Sequence, residues 1–326
     1  MSETLSYWQN RFRYHLWHLR TRLRTFKGAL ILSYHSISNS ASDPLGLHVS
    51  PQNFVEHLQV LKSYFEPVPF SEVLRCLRQQ KSLHPLVVLT FDDGYANNLW
   101  TALPLLEKYQ VPATIFIISG AAEGYIPFYW EVLAQKLLNP SPSDLPAELR
   151  IRYQGQLFRY SLHISAQRLR AYHGLRRALT DLWGEERSQL LREILQALGG
   201  EGVPSHIERP LTIKELQQLT KSPLISIGNH TVSHPRLDRL PPARAWQEIR
   251  EARRQLSDWI GQEVRYFAYP YGYERASLQQ MVQEAGHEAA CSTRAGGVST
   301  RSNLFALPRL HVGNWSGEHL AHYLGI

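Results

Sequence analysis

Two pairs of side chains in this sequence have types and spacing suited to chemistry. Asp92 and Asp93 lie in Thr90-Phe91-Asp92-Asp93-Gly94-Tyr95, at the end of the apolar run that begins at Leu86. Adjacent carboxylates at a strand end cannot both be buried without a cation or a proton between them. The plain alternative is a turn, since Asp-Gly is a common turn dipeptide. His230 and His234 lie in Gly228-Asn229-His230-Thr231-Val232-Ser233-His234-Pro235, again after an apolar run, Leu224 to Ile227. A spacing of four lets two imidazoles converge on one cation if the segment makes a helical turn. Two histidines with one carboxylate form a three-ligand set with open positions, the pattern of a catalytic metal centre.

Two later segments have similar placement. Phe267-Ala268-Tyr269-Pro270-Tyr271-Gly272 closes an apolar run with a rigid aromatic turn, and Leu307-Pro308-Arg309-Leu310-His311-Val312 puts Arg309 and His311 on one side of a late strand by the period of two. His35 ends the first strand, where it lines the same mouth or simply packs.

The elements that must position these groups alternate. Strands are expected over 29–35, 86–91, 113–118, 224–228, 264–269, 288–292 and 305–312. Helices are expected from Ser50-Pro51 (Ser as N-cap, Pro in the first turn) and near 98–109, 243–260, 275–285 and 317–324. Such alternation implies a parallel sheet with right-handed crossovers, in a barrel or a doubly wound sheet. In a barrel the strands' C-terminal ends form the active face. Residues from about 121 to 212 break the rhythm with a Pro/Ser turn, a hairpin near 151–162 and two Arg/Leu-rich helices near 165–198. This reads as an insertion or cap. Its Arg168, Arg170, Arg176 and Arg177 read as a solvated helix face, with contact to a phosphate or sugar acid as the alternative.

Composition bounds the partners. The chain has 326 residues, 43% of them hydrophobic, enough for a sizeable core and unlike a disordered or fibrous protein. Two cysteines, Cys76 and Cys291, are too few for a disulfide framework or a cysteine zinc site. The net charge of +7 invites a nucleic-acid reading, but residues 1–27 carry six cations (Arg11, Arg13, Arg20, Arg22, Arg24, Lys27) against Glu3. The body from 28 to 326 is near neutral, so nucleic acid is not expected as a partner. The basic, Trp-containing N-terminal segment resembles an interfacial helix on an anionic bilayer, with a helix packed on the body as the equal alternative. Arginines interrupt every candidate signal-peptide core. The expected location is the cytoplasm, with peripheral contact at the inner face of the membrane.

Taken in order, Thr-Phe-Asp-Asp-Gly, His-x-x-x-His-Pro, Tyr-Pro-Tyr-Gly and the late His-containing strand resemble the NodB-like polysaccharide deacetylases, carbohydrate esterase family four. The resemblance covers about 29–325 apart from the insertion. Tyr34-His35-Ser36-Ile37 and Phe91 to Asn98 are similar to the branch found among bacterial exopolysaccharide and lipopolysaccharide biosynthesis proteins. The resemblance implies a distorted (β/α)7 barrel and a divalent metal, commonly zinc, held by Asp93, His230 and His234. Asp92 would be the general base and His311 the acid, with the Tyr271 backbone N–H at the oxyanion. Pro270, Arg309 and His35 would line the substrate site. The reaction implied is removal of the N-acetyl group from an amino sugar in a glycan or glycolipid. Two places depart from the family. Ala268 stands where the family often carries an Arg that orients the catalytic Asp, and Cys291-Ser292-Thr293-Arg294 replaces an acidic motif; Arg309 is a candidate for the missing charge. A catalytically silent carbohydrate-binding protein, or a deacylase for another acyl group (a deformylase or a peptidoglycan-type deacetylase), are the competing functions.

Overall fold

The computed structural model describes residues 28–124, 128–139, 145–200 and 208–326. The basic segment 1–27 and most of the Pro/Ser turn lie outside the described residues. Seven parallel strands build the centre: β1 (Leu30–Tyr34), β2 (Leu86–Phe91), β3 (Ala113–Ile117), β4 (Ile225–Asn229), β5 (Tyr266–Ala268), β6 (Ala289–Cys291) and β7 (Leu310–His311). Their order in the sheet is β6-β5-β4-β3-β2-β1-β7, so chain order and spatial order agree except that β7 lies beside β1. Cys291 at the end of β6 bridges Leu307, just before β7, and the sheet thereby curls back on itself. This is the distorted seven-stranded barrel. Every strand but the two-residue β7 is buried along most of its length, as expected when both faces of a parallel sheet are covered.

Alternation along the strands separates two cores. Ile31, Val88, Phe116, Ala268, Cys291 and Leu307 pack together on one face, while Leu32, Tyr34, Leu89, Phe91 and Ile115 meet the helices Pro51–Tyr64, Leu103–Tyr109, Ile213–Leu219 and Gly317–Leu324 on the other. Gly228 belongs to the first face, and a Cβ there would strike the Phe116 ring, so a side chain at 228 is excluded by packing. The helix from Pro51 starts as the sequence implies, with the Ser50 hydroxyl accepting from the Asn53 amide and Phe54, Leu58 and Leu61 buried.

Three local expectations need correction. The strand expected over 305–312 is continuous only at Leu310–His311, with Leu307 left as an isolated bridge to Cys291, because Pro308 cannot donate to a ladder and Arg309 turns toward the barrel interior. The helix expected near 98–109 opens with a π-helical turn over Asn98–Ala102 before Leu103–Tyr109 continues. A helix over Phe70–Arg78, which the sequence reading omitted, contributes Phe70, Val73 and Leu74 to the inner core.

The insertion has its own core. Helices Tyr129–Leu138, Ser165–Thr180 and Gly184–Ala197 and the hairpin Glu148–Tyr153/Gln156–Ser161 bury Leu133, Leu137, Ile151, Phe158, Leu175 and Ile194 together. Tyr95 and Ile118 of the barrel join the same cluster and fix the insertion over the strand ends.

Candidate active site

The inward rows of the barrel strands become polar at their C-terminal ends. Ser33 and Thr90 follow Ile31 and Val88, and the next inward positions are His35 and Asp92. The turn after each strand is then bent sharply. Asp93, Thr231, His234 and Tyr271 all have φ between +53° and +70°, which costs a non-glycine residue about 1–3 kcal/mol and persists only where the surroundings impose it. Four such residues around one cavity mark a built site.

The surroundings that impose it can be named. The Asn229 carboxamide oxygen accepts from the Thr231 amide, the Thr231 hydroxyl accepts from the His234 amide, and Glu248 accepts from the amides of Val232 and Ser233. From the insertion, Arg187 donates to the carbonyls of Ser233 and His234, with its guanidinium also over the Tyr129 ring. The segment 230–234 is therefore not the helical turn on which convergence was expected to depend. Two left-handed residues and side-chain bonds bring the imidazoles together instead.

Asp93, His230 and His234 are buried, and one donor atom from each lies within 4.8 Å of the other two. His230 Nε2 and His234 Nε2 stand 3.4 and 3.5 Å from one oxygen of Asp93, longer than tight charge-assisted bonds. His230 Nδ1 is 2.8 Å from the Ala268 carbonyl, which can only accept, so Nδ1 carries a proton and Nε2 is the nitrogen turned to Asp93. Burial would lower His230, but its bond to Asp93 outweighs this and raises it. Burial pushes His234 down to about 3, which keeps its imidazole neutral. Two imidazoles, each turning Nε2 toward one Asp93 oxygen and loosely spaced around a common point, fit a divalent cation with open positions.

Asp92 has a different partner. Arg309 donates to both of its oxygens at 2.7 Å, and further to the Thr90 hydroxyl and the Ser292 carbonyl, and it is itself buried. Burial alone would raise the Asp92 carboxyl. The Arg309 guanidinium outweighs it and holds the group well below the usual carboxylate range. The charge that Ala268 fails to supply thus comes from the segment before β7.

These groups share a cavity of about 350 Å³. Tyr271 lines it, its ring 4.5 Å from that of His234, whereas Pro270 lies buried behind the turn and touches the site only by shaping it. His35 and His311 also line the cavity, with ring centroids 5.8 Å apart. His311 Nε2 donates to the Gly46 carbonyl at 2.9 Å, and burial together with His35 lowers it to about 4. Trp130, Tyr129 and Arg176 of the insertion complete the wall. Arg176 is therefore not part of a solvated face, unlike the exposed Arg170 and Arg177; Arg168 caps local carbonyls. The sequence signal for this wall was the aromatic triplet Phe128-Tyr129-Trp130.

The profile of the polysaccharide deacetylase family matches residues 79–150 and 184–290, skipping only 151–183 within the insertion. The chain belongs to the polysaccharide deacetylase family. The enzyme class that the ordered motifs implied holds with it, and metal dependence is general in the family. This deacetylase is 22% identical over 299 residues to YxkH of Bacillus subtilis (strain 168), named as a polysaccharide deacetylase, covering 90% of this chain and 75% of that one. It is 31% identical over 88 residues to the poly-beta-1,6-N-acetyl-D-glucosamine N-deacetylase of Escherichia coli (strain K12), which is 26% of this chain and 13% of that one. In fold it is similar to the deacetylase PplD of Streptococcus pyogenes (TM-score 0.60, 21% identity, 92% of this chain and 98% of that one). It is similar also to IcaB from Ammonifex degensii (TM-score 0.59, 17% identity, 92% and 98%).

Proposed function

We propose that this deacetylase removes the N-acetyl group from an amino sugar in a polysaccharide or lipid-linked glycan, with zinc held by Asp93, His230 and His234 and with Asp92 as general base. The observation that carries the reading is the juxtaposition of the donor triangle with a second carboxylate, Asp92 at the adjoining position, paired with Arg309. A divalent cation bound there supplies Lewis acidity toward the acetamide carbonyl and the attacking water. Asp92 takes the proton from that water. Its pairing with Arg309 makes it a weaker base than a free carboxylate, but secures the ionised form in one orientation. Tyr271 and Trp130 offer aromatic faces to a sugar ring. His311 enters neutral, with Nε2 committed to Gly46, so Nδ1 is the nitrogen left to deliver to the departing amine a proton taken up during turnover. The E. coli relative, named for poly-beta-1,6-N-acetyl-D-glucosamine, supports an amino-sugar substrate.

The direct test is acetate release from poly-N-acetylglucosamine oligomers. Release should stop when the protein is stripped with a chelator and return with one equivalent of zinc; full turnover by metal-free protein would end this reading.

For location, we propose peripheral attachment from the cytoplasmic side through residues 1–27, supported by their six cations interleaved with Trp8, Phe12 and Trp17. No helix among the described residues is long and apolar enough to cross a membrane. Full-length protein should sediment with phosphatidylglycerol vesicles at low salt and be released by high salt, and protein lacking 1–27 should stay in the supernatant. Equal behaviour of the two proteins would refute it.

A further inference from the structure

We propose that Arg176 is a specificity residue for an anionic substituent, phosphate or carboxylate, on the N-acetylated sugar. The proposal rests on the deacetylase reading and narrows its substrate class. Arg176 lies on the helix Ser165–Thr180 of the insertion and lines the same cavity as Asp92, Asp93 and the two histidines. Its place is fixed by the turn it belongs to. The Thr180 hydroxyl donates to the Arg176 carbonyl at 2.8 Å and also meets the Tyr129 hydroxyl, which in turn lies 3.0 Å from that of Tyr271. One chain of bonds therefore ties the Arg176 turn to the aromatic turn at the metal site.

The guanidinium itself is uncompensated. Its Nε is shielded from solvent with no hydrogen-bond partner, and among the described residues no acidic side chain pairs with it. The neighbouring carboxylates are committed elsewhere. Glu131 accepts from the Tyr95 hydroxyl at 2.7 Å and pairs with His48 at 3.3 Å. Asp92 is taken by Arg309, the other arginine of the cavity. A half-buried planar fork with no acidic partner among the described residues is suited to bidentate recognition of a carboxylate or phosphate, and less to a neutral hydroxyl, which cannot offer two anionic oxygens. Trp130 and Tyr129 beside it provide apolar faces for the ring that carries the anion. A neutral homopolymer would leave this cation unanswered.

Binding of single sugars to the zinc-loaded full chain tests this without requiring turnover. The probes are N-acetylglucosamine, N-acetylglucosamine 6-phosphate and N-acetylmuramic acid, measured by calorimetry at low salt. At least one anionic sugar should bind about tenfold to a hundredfold more tightly than the neutral one, the range expected of a charge-assisted pair. Whichever does so assigns the anion as phosphate or carboxylate. The advantage should vanish in Arg176→Gln, return in part in Arg176→Lys, and be unaffected in Arg177→Gln on the exposed face. Equal affinity for all three sugars, or an advantage that survives Arg176→Gln, would overturn the assignment; the second result would place the anion on the metal. If the preference and its loss are seen while no substrate releases acetate, the deacetylase reading falls and the anion site stands.

Discussion

Asp92→Asn is expected to lower the rate of acetate release by about 10²- to 10⁴-fold, the span that general-base catalysis contributes, while zinc content stays at one per chain. The amide is nearly isosteric and cannot take a proton, so the change removes the function and keeps the volume. Metal retention is expected because the donor triangle is formed by Asp93, His230 and His234, with Asp92 bonded to Arg309. Two measurements on one preparation decide the matter, turnover and bound zinc. Activity within a few-fold of wild type would move the base elsewhere, with His35 and His311 the cavity's imidazoles outside the donor triangle. Loss of zinc together with activity would mean that the division of labour between the two aspartates is drawn wrongly. A silent carbohydrate-binding protein would show no wild-type turnover to lose, and a buried carboxylate held ionised by a dedicated arginine would have no purpose in it.

The parts of this site legible in the sequence are those encoded by strand ends. Asp92, Asp93, His230 and His234 each follow an apolar run closely enough that the strand delivers them, and the period of two carries Arg309 and His311 to the same face. What the sequence conceals is what depends on closure and docking. Arg309 lies 217 residues from Asp92 and reaches it only because β7 pairs with β1, beside β2. The left-handed conformations at Thr231 and His234 left no glycine as a signal, because the bonds of Asn229, Glu248 and Arg187 impose them from outside. Arg176, Arg177 and Arg187 look alike as letters in amphipathic helices. The packing of the insertion on Tyr95 and Ile118 decides that the first enters the cavity, the second faces solvent and the third clamps the histidine turn.

Arg309→Met is expected to be the most destabilising single change at the site, by about 3–5 kcal/mol, because it strands the Asp92 carboxylate in a dry interior with no counter-charge. Methionine fills much of the same volume, so the loss reports electrostatics and not a cavity. Arg309→Lys should fall between, since an ammonium supplies the charge without the two parallel bonds to Asp92 or the bond to the Ser292 carbonyl. The double variant Asp92→Asn/Arg309→Met is the discriminating one. With both charges gone there is nothing left to desolvate, and replacing a buried pair by groups of similar size is often near neutral. The double should therefore recover most of the stability lost in Arg309→Met and none of the activity. Urea unfolding of the four proteins reads the coupling between the two residues directly. If the double variant instead lost the sum of the two single effects, Arg309 would be holding the barrel seam between β6 and β7 by its bonds to Thr90 and Ser292. Asp92 would then owe its orientation to something else.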